Sequence, residues 1–310
     1  MLMVERRLEC RSSGLDIVVS GRPADGISAT VIWRRHPMSW HDVAFAPGVV
    51  AGPSPYDSAR FGIAVDRISV SVASAATLED VLDAINASTA DVVVLRYPAD
   101  RMSWFAALAE LDRTAIVADN LVGWKLATGQ GRRPPPLPRG LEIVDAVSAA
   151  EMDAMIAGAF RDYGNHYLAN PLFDPALVLA GYQEWARREI TSGVVAIRNA
   201  ENRDHESGML GFVTYGEAGG VAEIALGGVV SGAQNAGLYL HLLAGMEDRA
   251  ASRGIESVVI STQSRNIRVQ RRWADYGFKP VLSVFTVHII RRGLLRAGRD
   301  KVVGLCQRLP

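Results

Sequence analysis

The chain has 310 residues, 49% hydrophobic and 21% charged, with 33 basic against 33 acidic side chains. That length suits two domains, each able to bury its own core, and the balanced charge excludes the electrostatic footprint of a nucleic-acid or membrane-surface binder. Cys10 and Cys306 sit near opposite ends, and the six histidines (His36, His41, His166, His205, His241, His288) have no ligand spacing, so neither a disulfide framework nor a metal site is expected; a reduced, soluble, cytoplasmic protein is.

The opening MLMVERRLECRSSG lacks the apolar core of a signal peptide, and no apolar run reaches the length of a membrane span. In chain order, LDIVVSG and ATVIWRR read as strands, and PGVVAGPSPYDS as a turn-rich separator. FGIAVDRISVSV reads as a strand, TLEDVLDAINAS as an amphipathic helix beginning at Thr77, ADVVVLRYP as a buried strand, and SWFAALAELD as a helix capped by Ser103. The alternation makes this half α/β.

GQGRRPPPLPRG, residues 129–140, is proline-rich and solvating, and reads as a linker between an N-terminal domain (1–128) and a second domain (141–290); a surface loop within one domain is the other reading. After it come a strand (LEIVDAV), two helices (AAEMDAMIAGAF and PALVLAGYQEWARREI) and three strands (SGVVAIRN, SGMLGFVTYGE, GVAEIALGGVV). NAGLYLHLLAGMEDRAASRG is then a helix stopped by Gly254, ESVVIST a buried strand, NIRVQRRWADYG a helix stopped by Gly277, and FKPVLSVFTVHII a last strand. The tail 291–310 is basic, either solvated or packed on the body.

A strand meander followed by a glycine-containing turn into a helix is the order needed to aim a helix N-terminus, with its free N–H groups and positive dipole end, at an anionic ligand. SGAQNAGLYLHLL is that turn here. Gly227 and Gly228 in the strand before it suit a bulge or a close backbone approach, or else relief of crowding at a bend.

With this order of elements, residues 141–290 resemble the GNAT superfamily of N-acyltransferases. The resemblance rests on Gln234, Asn235, Ala236, Gly237 and Leu238, which match the superfamily's pyrophosphate turn; Tyr239 stands where a glycine or alanine is usual. YGNHYLANPLFD and GYQEWARREI, with Asn165, His166, Tyr167, Asn170, Pro171, Tyr182 and Trp185, are similar to the nucleotide-sugar branch typified by dTDP-fucosamine acetyltransferase. YDSARFGIAVDRI, LRYPADRMSWFAALAELD and NLVGWKL resemble that branch's incomplete first domain.

The resemblance implies an α/β GNAT fold, a mixed, mostly antiparallel sheet flanked by helices, with a partial GNAT-like α/β domain at the N-terminus. It implies acetyl transfer from acetyl-CoA, a co-substrate, to a small-molecule amine such as a nucleotide-linked amino sugar, with no metal, nucleic acid or membrane involved, and it leaves room for a homodimer. Val229 is implied to bond the pantetheine arm through its backbone, the 234–239 turn to hold the phosphates, and Asn266 to face the cofactor. Trp273 occupies the position at which a tyrosine usually meets the sulfur, and an indole N–H is no practical acid.

Acylation of an amine needs a base for the ammonium proton and tolerates a weakly assisted thiolate departure. Glu223 is the first candidate base, or an ordinary strand-end carboxylate; His166 is the second, or a structural histidine. His166, Tyr167 and Asn170 lie where acceptors enter. Tyr276 could replace the missing acid, or pack beside Phe278. Two other readings are kept: a degenerate GNAT-fold binding module, and an acyltransferase using a longer acyl-CoA, an acyl carrier protein or an aminoacyl-tRNA.

Overall fold

The computed structural model describes residues 39–161, 163–202 and 208–295, together with the backbone of β1 (Arg6–Cys10), β2 (Leu15–Val19) and β3 (Ala29–Val31). Those three strands form a small antiparallel sheet, with β2 and β3 falling inside the two expected strands. The rest of the opening segment, His36, His205, Cys306 and most of the basic tail lie outside the described residues.

The body is built from α1 (Trp40–Ala44), β4 (Val49–Pro53), α2 (Pro55–Phe61), β5 (Val65–Val70), α3 (Leu78–Ala87), β6 (Val92–Pro98), α4 (Trp104–Ala109) and β7 (Arg113–Ala127). It continues through β8 (Leu141–Val144), α5 (Ala149–Phe160), α6 (Val178–Glu189), β9 (Val194–Asn199), β10 (Met209–Ala218) and β11 (Val221–Val229). The last elements are α7 (Leu238–Ser252), β12 (Ser257–Gln263), α8 (Ile267–Tyr276) and β13 (Lys279–Arg291).

Local chemistry explains most of these boundaries. Thr77 caps α3 as expected: its hydroxyl accepts the Asp80 amide, while the Asp80 carboxylate accepts the Thr77 amide at 2.7 Å. Ser103 does not cap α4, since it already has helical dihedrals and makes no side-chain bond there. The supposed separator PGVVAGPSPYDS folds as β4 and α2. Pro53 closes a strand at the sheet edge, where a missing N–H is tolerated, and Pro55 takes the first helical position, where its fixed φ is an advantage.

Strands β4 to β13 make one ten-stranded sheet, in the order β4-β5-β6-β13-β7-β12-β11-β10-β9-β8. Its pairings are antiparallel except β5 with β6 and β11 with β12. The unit strand, parallel strand, final strand occurs twice, with α3 and α4 in the first copy and α7 and α8 in the second. Each final strand crosses over: β7 lies beside β12 and β13 beside β6, so the two halves interlock through exchanged strands.

One face of the sheet carries α3 and α4 over Ile68, Val93, Leu95 and Ile289, and α7 and α8 over Ala222, Ile224, Val258 and Ile260. The other face carries α5 and α6 over Ala196, Phe212 and Leu226, and the 166–177 segment over Val65, Val92 and Val94. Each fully buried Ile, Leu or Val contributes about 1.5–3 kcal/mol. Leu294 and Leu295, at the start of the basic tail, pack on the cluster formed by Val65, Phe173 and Ile290.

The start of the 129–140 segment is tied to α7 by hydrogen bonds, while Gly129 and Gln130 stay exposed. Buried Glu247 on α7 accepts the Gly129 and Gly131 amides at 2.7 and 2.9 Å through one oxygen, and the Tyr276 hydroxyl at 2.6 Å through the other. A Cβ on Gly131 would fall 2.2 Å from that carboxylate, so only glycine fits.

Candidate active site

Strands β11 and β12 run parallel and paired from Val221–Ser257 to Ile224–Ile260, and then separate. The cause is a bulge: Tyr215 faces Ile224 and Thr214 faces Leu226, leaving Ala225 without a partner on β10. Gly227 and Gly228, read as suited to a bulge or to a close backbone approach, serve the close approach, and the bulge lies just before them. A Cβ on Gly228 would sit 3.0 Å from Ala159, and one on Gly227 3.0 Å from Val213. A cavity of about 420 Å³ opens in the gap, walled by Ala225 to Val229 on one side and Ser261 to Gln263 on the other.

The 234–239 turn closes the outer end of this cavity. Asn235 is left-handed at φ 73°, a conformation asparagine tolerates, and Gly237 at φ 76° precedes the first residue of α7. Gln234, Asn235, Gly237, Leu238 and Tyr239 line the cavity, as does Val229; Ala236 does not. Arg268, from the first turn of α8, donates to the Gln234 and Asn235 side-chain oxygens at 3.0 and 2.6 Å, placing a guanidinium beside the helix N-terminus. The sequence reading missed Arg268, since only tertiary packing brings α8 to this turn.

Tyr239 does not crowd the turn, because its ring points inward. Its hydroxyl accepts the Trp273 indole N–H at 3.1 Å, and a Cβ on Gly227 would lie 3.5 Å from it. An indole can only donate, so the Tyr239 proton is left for another acceptor. Burial raises the Tyr239 pKa and keeps that proton in place. Nearby, the Tyr163 hydroxyl contacts Gln263 and Thr262, and Asn266 donates to Thr262 at 3.0 Å. Tyr163 was not singled out in the sequence, and burial raises its pKa too.

Glu223 is in the cavity wall, and both its oxygens lie 2.9 Å from the Trp40 amide at the start of α1. Tyr276 is elsewhere. It is 1% exposed and is not part of the cavity wall, and its hydroxyl is committed to Glu247 in a buried bond, so it cannot supply the missing acid. The helix turns it to the α7 side.

At the inner end, His166 and His288 converge from distant parts of the chain, Nδ1 to Nε2 at 2.9 Å. One ring must donate and the other accept, which requires at least one neutral imidazole. Burial, then His288, Arg96 and Arg67, hold His166 well below the ordinary imidazole range; burial and the two arginines bring His288 to about 3. His166 is therefore a poor base. Tyr167 lines the cavity with its hydroxyl donating to Asp57 at 2.9 Å and accepting from Arg67 at 2.9 Å. Asn170 is buried behind the wall, where its carboxamide oxygen accepts the Leu172 amide, so it braces the segment and does not meet an acceptor.

Arg67 and Arg96, also in the wall, were missed, although Arg96 left a signal as the one charge in the otherwise apolar β6. Among the described residues no group of three or more His, Cys, Asp or Glu is arranged to hold a metal, and no helix is long and apolar enough to cross a membrane.

No family model matches the chain, and no curated protein does. Among solved structures it is similar to a GCN5-related N-acetyltransferase from Sphaerobacter thermophilus, at 17% identity and TM-score 0.51, covering 79% of this chain and 78% of that one. It is also similar to a GCN5-related glucosamine N-acetyltransferase region of a fungal multi-domain GH3 β-N-acetylglucosaminidase, at 12% identity and TM-score 0.50, covering 90% of this chain and 33% of that one. A GCN5-related N-acetyltransferase from Kribbella flavida aligns at 15% identity and TM-score 0.47, over 94% and 92% of the two chains. At these identities the likeness is one of fold, and the chain has the GNAT fold.

Proposed function

We propose that the protein is an acyl-CoA-dependent N-acyltransferase that moves an acetyl group from acetyl-CoA to the primary amine of a small molecule, by direct attack in a ternary complex. The observation that carries this reading is the parting of β11 and β12 after Ile224 and Ile260, with the N-terminus of α7 facing the same gap. The α7 N-terminus and Arg268 suit the phosphates of coenzyme A. The parted edge at Ala225 to Val229 offers backbone groups to the pantetheine amides.

In this reading Glu223, oriented by the Trp40 amide, takes the ammonium proton directly or through a water. The neutral amine attacks the thioester carbon, the C–S bond breaks, and the thiolate receives its proton from Tyr239. The hydroxyl so restores from α7 the acid that Trp273 removes from α8, while Trp273 orients it. Inward-facing Tyr163, Tyr167 and His166 shape the acceptor end. A nucleotide-linked amino sugar is one acceptor in keeping with the sequence resemblance, and a natural-product amine is another.

Calorimetry with coenzyme A, followed by thiol release from acetyl-CoA over an amine panel, tests the proposal; absence of coenzyme A binding overturns it. The engagement of Glu223 by Trp40 and the low basicity of His166 favour a second reading, a GNAT-fold module that binds without turnover. Tight coenzyme A binding with no thiol release under any amine would select it. Release from an acyl carrier protein, a longer acyl-CoA or an aminoacyl-tRNA, but not from acetyl-CoA, would move the donor assignment.

A further inference from the structure

Four arginines, Arg60, Arg67, Arg96 and Arg188, line the inner end of the cavity. Three of them share two carboxylates of the protein, Asp57 and Glu184. Arg60 meets Asp57 at 3.2 Å and Glu184 at 2.6 Å, Arg67 meets Asp57 at 2.6 Å, and Arg188 meets Glu184 at 2.7 Å. Arg96 differs. Its Nε donates to Thr286 Oγ1 at 3.2 Å, and among the described residues it has no carboxylate oxygen within 4.0 Å.

Arg96 is half-buried by area, and the surface it keeps belongs to the cavity, with protein packed closely around it. Asp119, opposite Thr286 on the neighbouring strand, attracts it, but that carboxylate is outside the cavity wall, and one of its oxygens is occupied by the Asn120 amide. Burial, then the charge of Arg67, lower the Arg96 pKa to about 9, with Asp119 acting the other way. The neighbouring histidines bring no negative charge.

An isolated buried guanidinium is costly to keep, and its remaining N–H groups form a fork that fits a carboxylate in bidentate fashion. The walls nearby are aromatic: Phe160, Tyr163, Tyr182 and Trp185 all face the cavity. Of the four, Arg96 alone has no carboxylate partner among the described residues, and a carboxylate on its fork would complete the pairing.

We propose that Arg96 anchors a carboxylate of the acceptor, so that the acceptor is a small amino acid with an apolar or aromatic body. The amine half of this assignment rests on the acyltransfer reading, while the carboxylate half is testable without it.

The test is calorimetry on the full chain with phenylacetate, phenylacetamide and glucosamine 6-phosphate as probes. Phenylacetate should bind at least about tenfold more tightly than phenylacetamide, the scale of a charge-assisted bond. Arg96→Gln should erase that preference, and Arg96→Lys should retain part of it. Equal binding of acid and amide by the unaltered protein overturns the proposal and needs no variant to fold. Binding of the sugar phosphate without phenylacetate overturns it in favour of a phosphorylated acceptor, and an unchanged preference in a folded Arg96→Gln protein overturns the assignment to Arg96. A protein that shows the carboxylate preference yet binds no coenzyme A would sink the acyltransfer reading and leave the anchor standing.

Discussion

Trp273 donates its indole N–H to the hydroxyl of Tyr239 at 3.1 Å, joining the two positions at which this sequence departs from the GNAT pattern it resembles. In the proposed reaction they compensate one another, since Trp273 on α8 supports a tyrosine that comes from α7. Tyr239→Phe should therefore lower kcat about tenfold or more, within the range for a positioned acid, and leave the KM for acetyl-CoA nearly unchanged. It should also cost about 1–3 kcal/mol of stability, because the Trp273 N–H is left buried without an acceptor. Steady-state kinetics with a thermal melt check both.

Glu223→Gln separates the two duties of that side chain. The amide oxygen of glutamine can still accept the Trp40 N–H, so α1 should hold and the melting temperature should change little. Removing the base should reduce kcat/KM about 100-fold and abolish the acid limb of its pH profile. A profile that keeps its shape would dismiss Glu223 as the base.

Gly237→Glu places a carboxylate where phosphates are expected and a side chain at φ 76°. Coenzyme A affinity should fall at least tenfold by calorimetry, with a backbone cost of about 1–2 kcal/mol. Gly237→Asn, which tolerates the left-handed conformation, should keep most of the stability and separate strain from charge.

Asp57 joins the two halves across the cavity floor. Burial alone would raise its pKa, but the charge of Arg67 and hydrogen bonds from Ser54, Arg67 and Tyr167 prevail and lower it from 3.8 to about 2. A carboxylate with a depressed folded pKa contributes stability that is complete above the unfolded value and lost as pH falls through the folded one, here between about pH 4 and 2, and worth about 2 kcal/mol. Asp57→Asn should remove that acid transition and destabilise at neutral pH by about 3–5 kcal/mol, since Arg67 loses its counterion. Chemical denaturation at several pH values reads both effects.

The histidine pair makes a separate acid response. Both rings have folded pKa values below the ordinary 6.5, so the unfolded chain binds more protons below that pH, and stability declines from about pH 6.5 down toward 3. In His288→Gln, which can still hydrogen-bond His166, the decline over this window should become shallower. An unaltered slope would show that the rings are not neutral in the native state.

Much of the element order was legible. The helix start at Thr77, the glycine stops at Gly254 and Gly277, and the apolar periods of α5, α7, β6 and β12 are local signals set by neighbouring residues. The strand and helix within PGVVAGPSPYDS were not, because its three prolines read as turn formers until β4 is known to lie at the sheet edge, where Pro53 is tolerated. Within the candidate site, Gln234 to Tyr239 was legible as a helix-opening turn, whereas the positions of Tyr276 and Asn170 outside the cavity depended on which way each element is rotated.

By itself, then, the sequence determined the succession of strands and helices, the turn ahead of α7 and the GNAT resemblance, since these follow from spacing along the chain. Only the tertiary structure decided that β7 and β13 exchange places, that the bulge falls at Ala225, that Tyr239 turns inward to Trp273, and that Arg96 stands in the cavity with no paired carboxylate among the described residues. Those facts depend on contacts between residues far apart in the chain, where packing and charge pairing, not local preference, choose the partner.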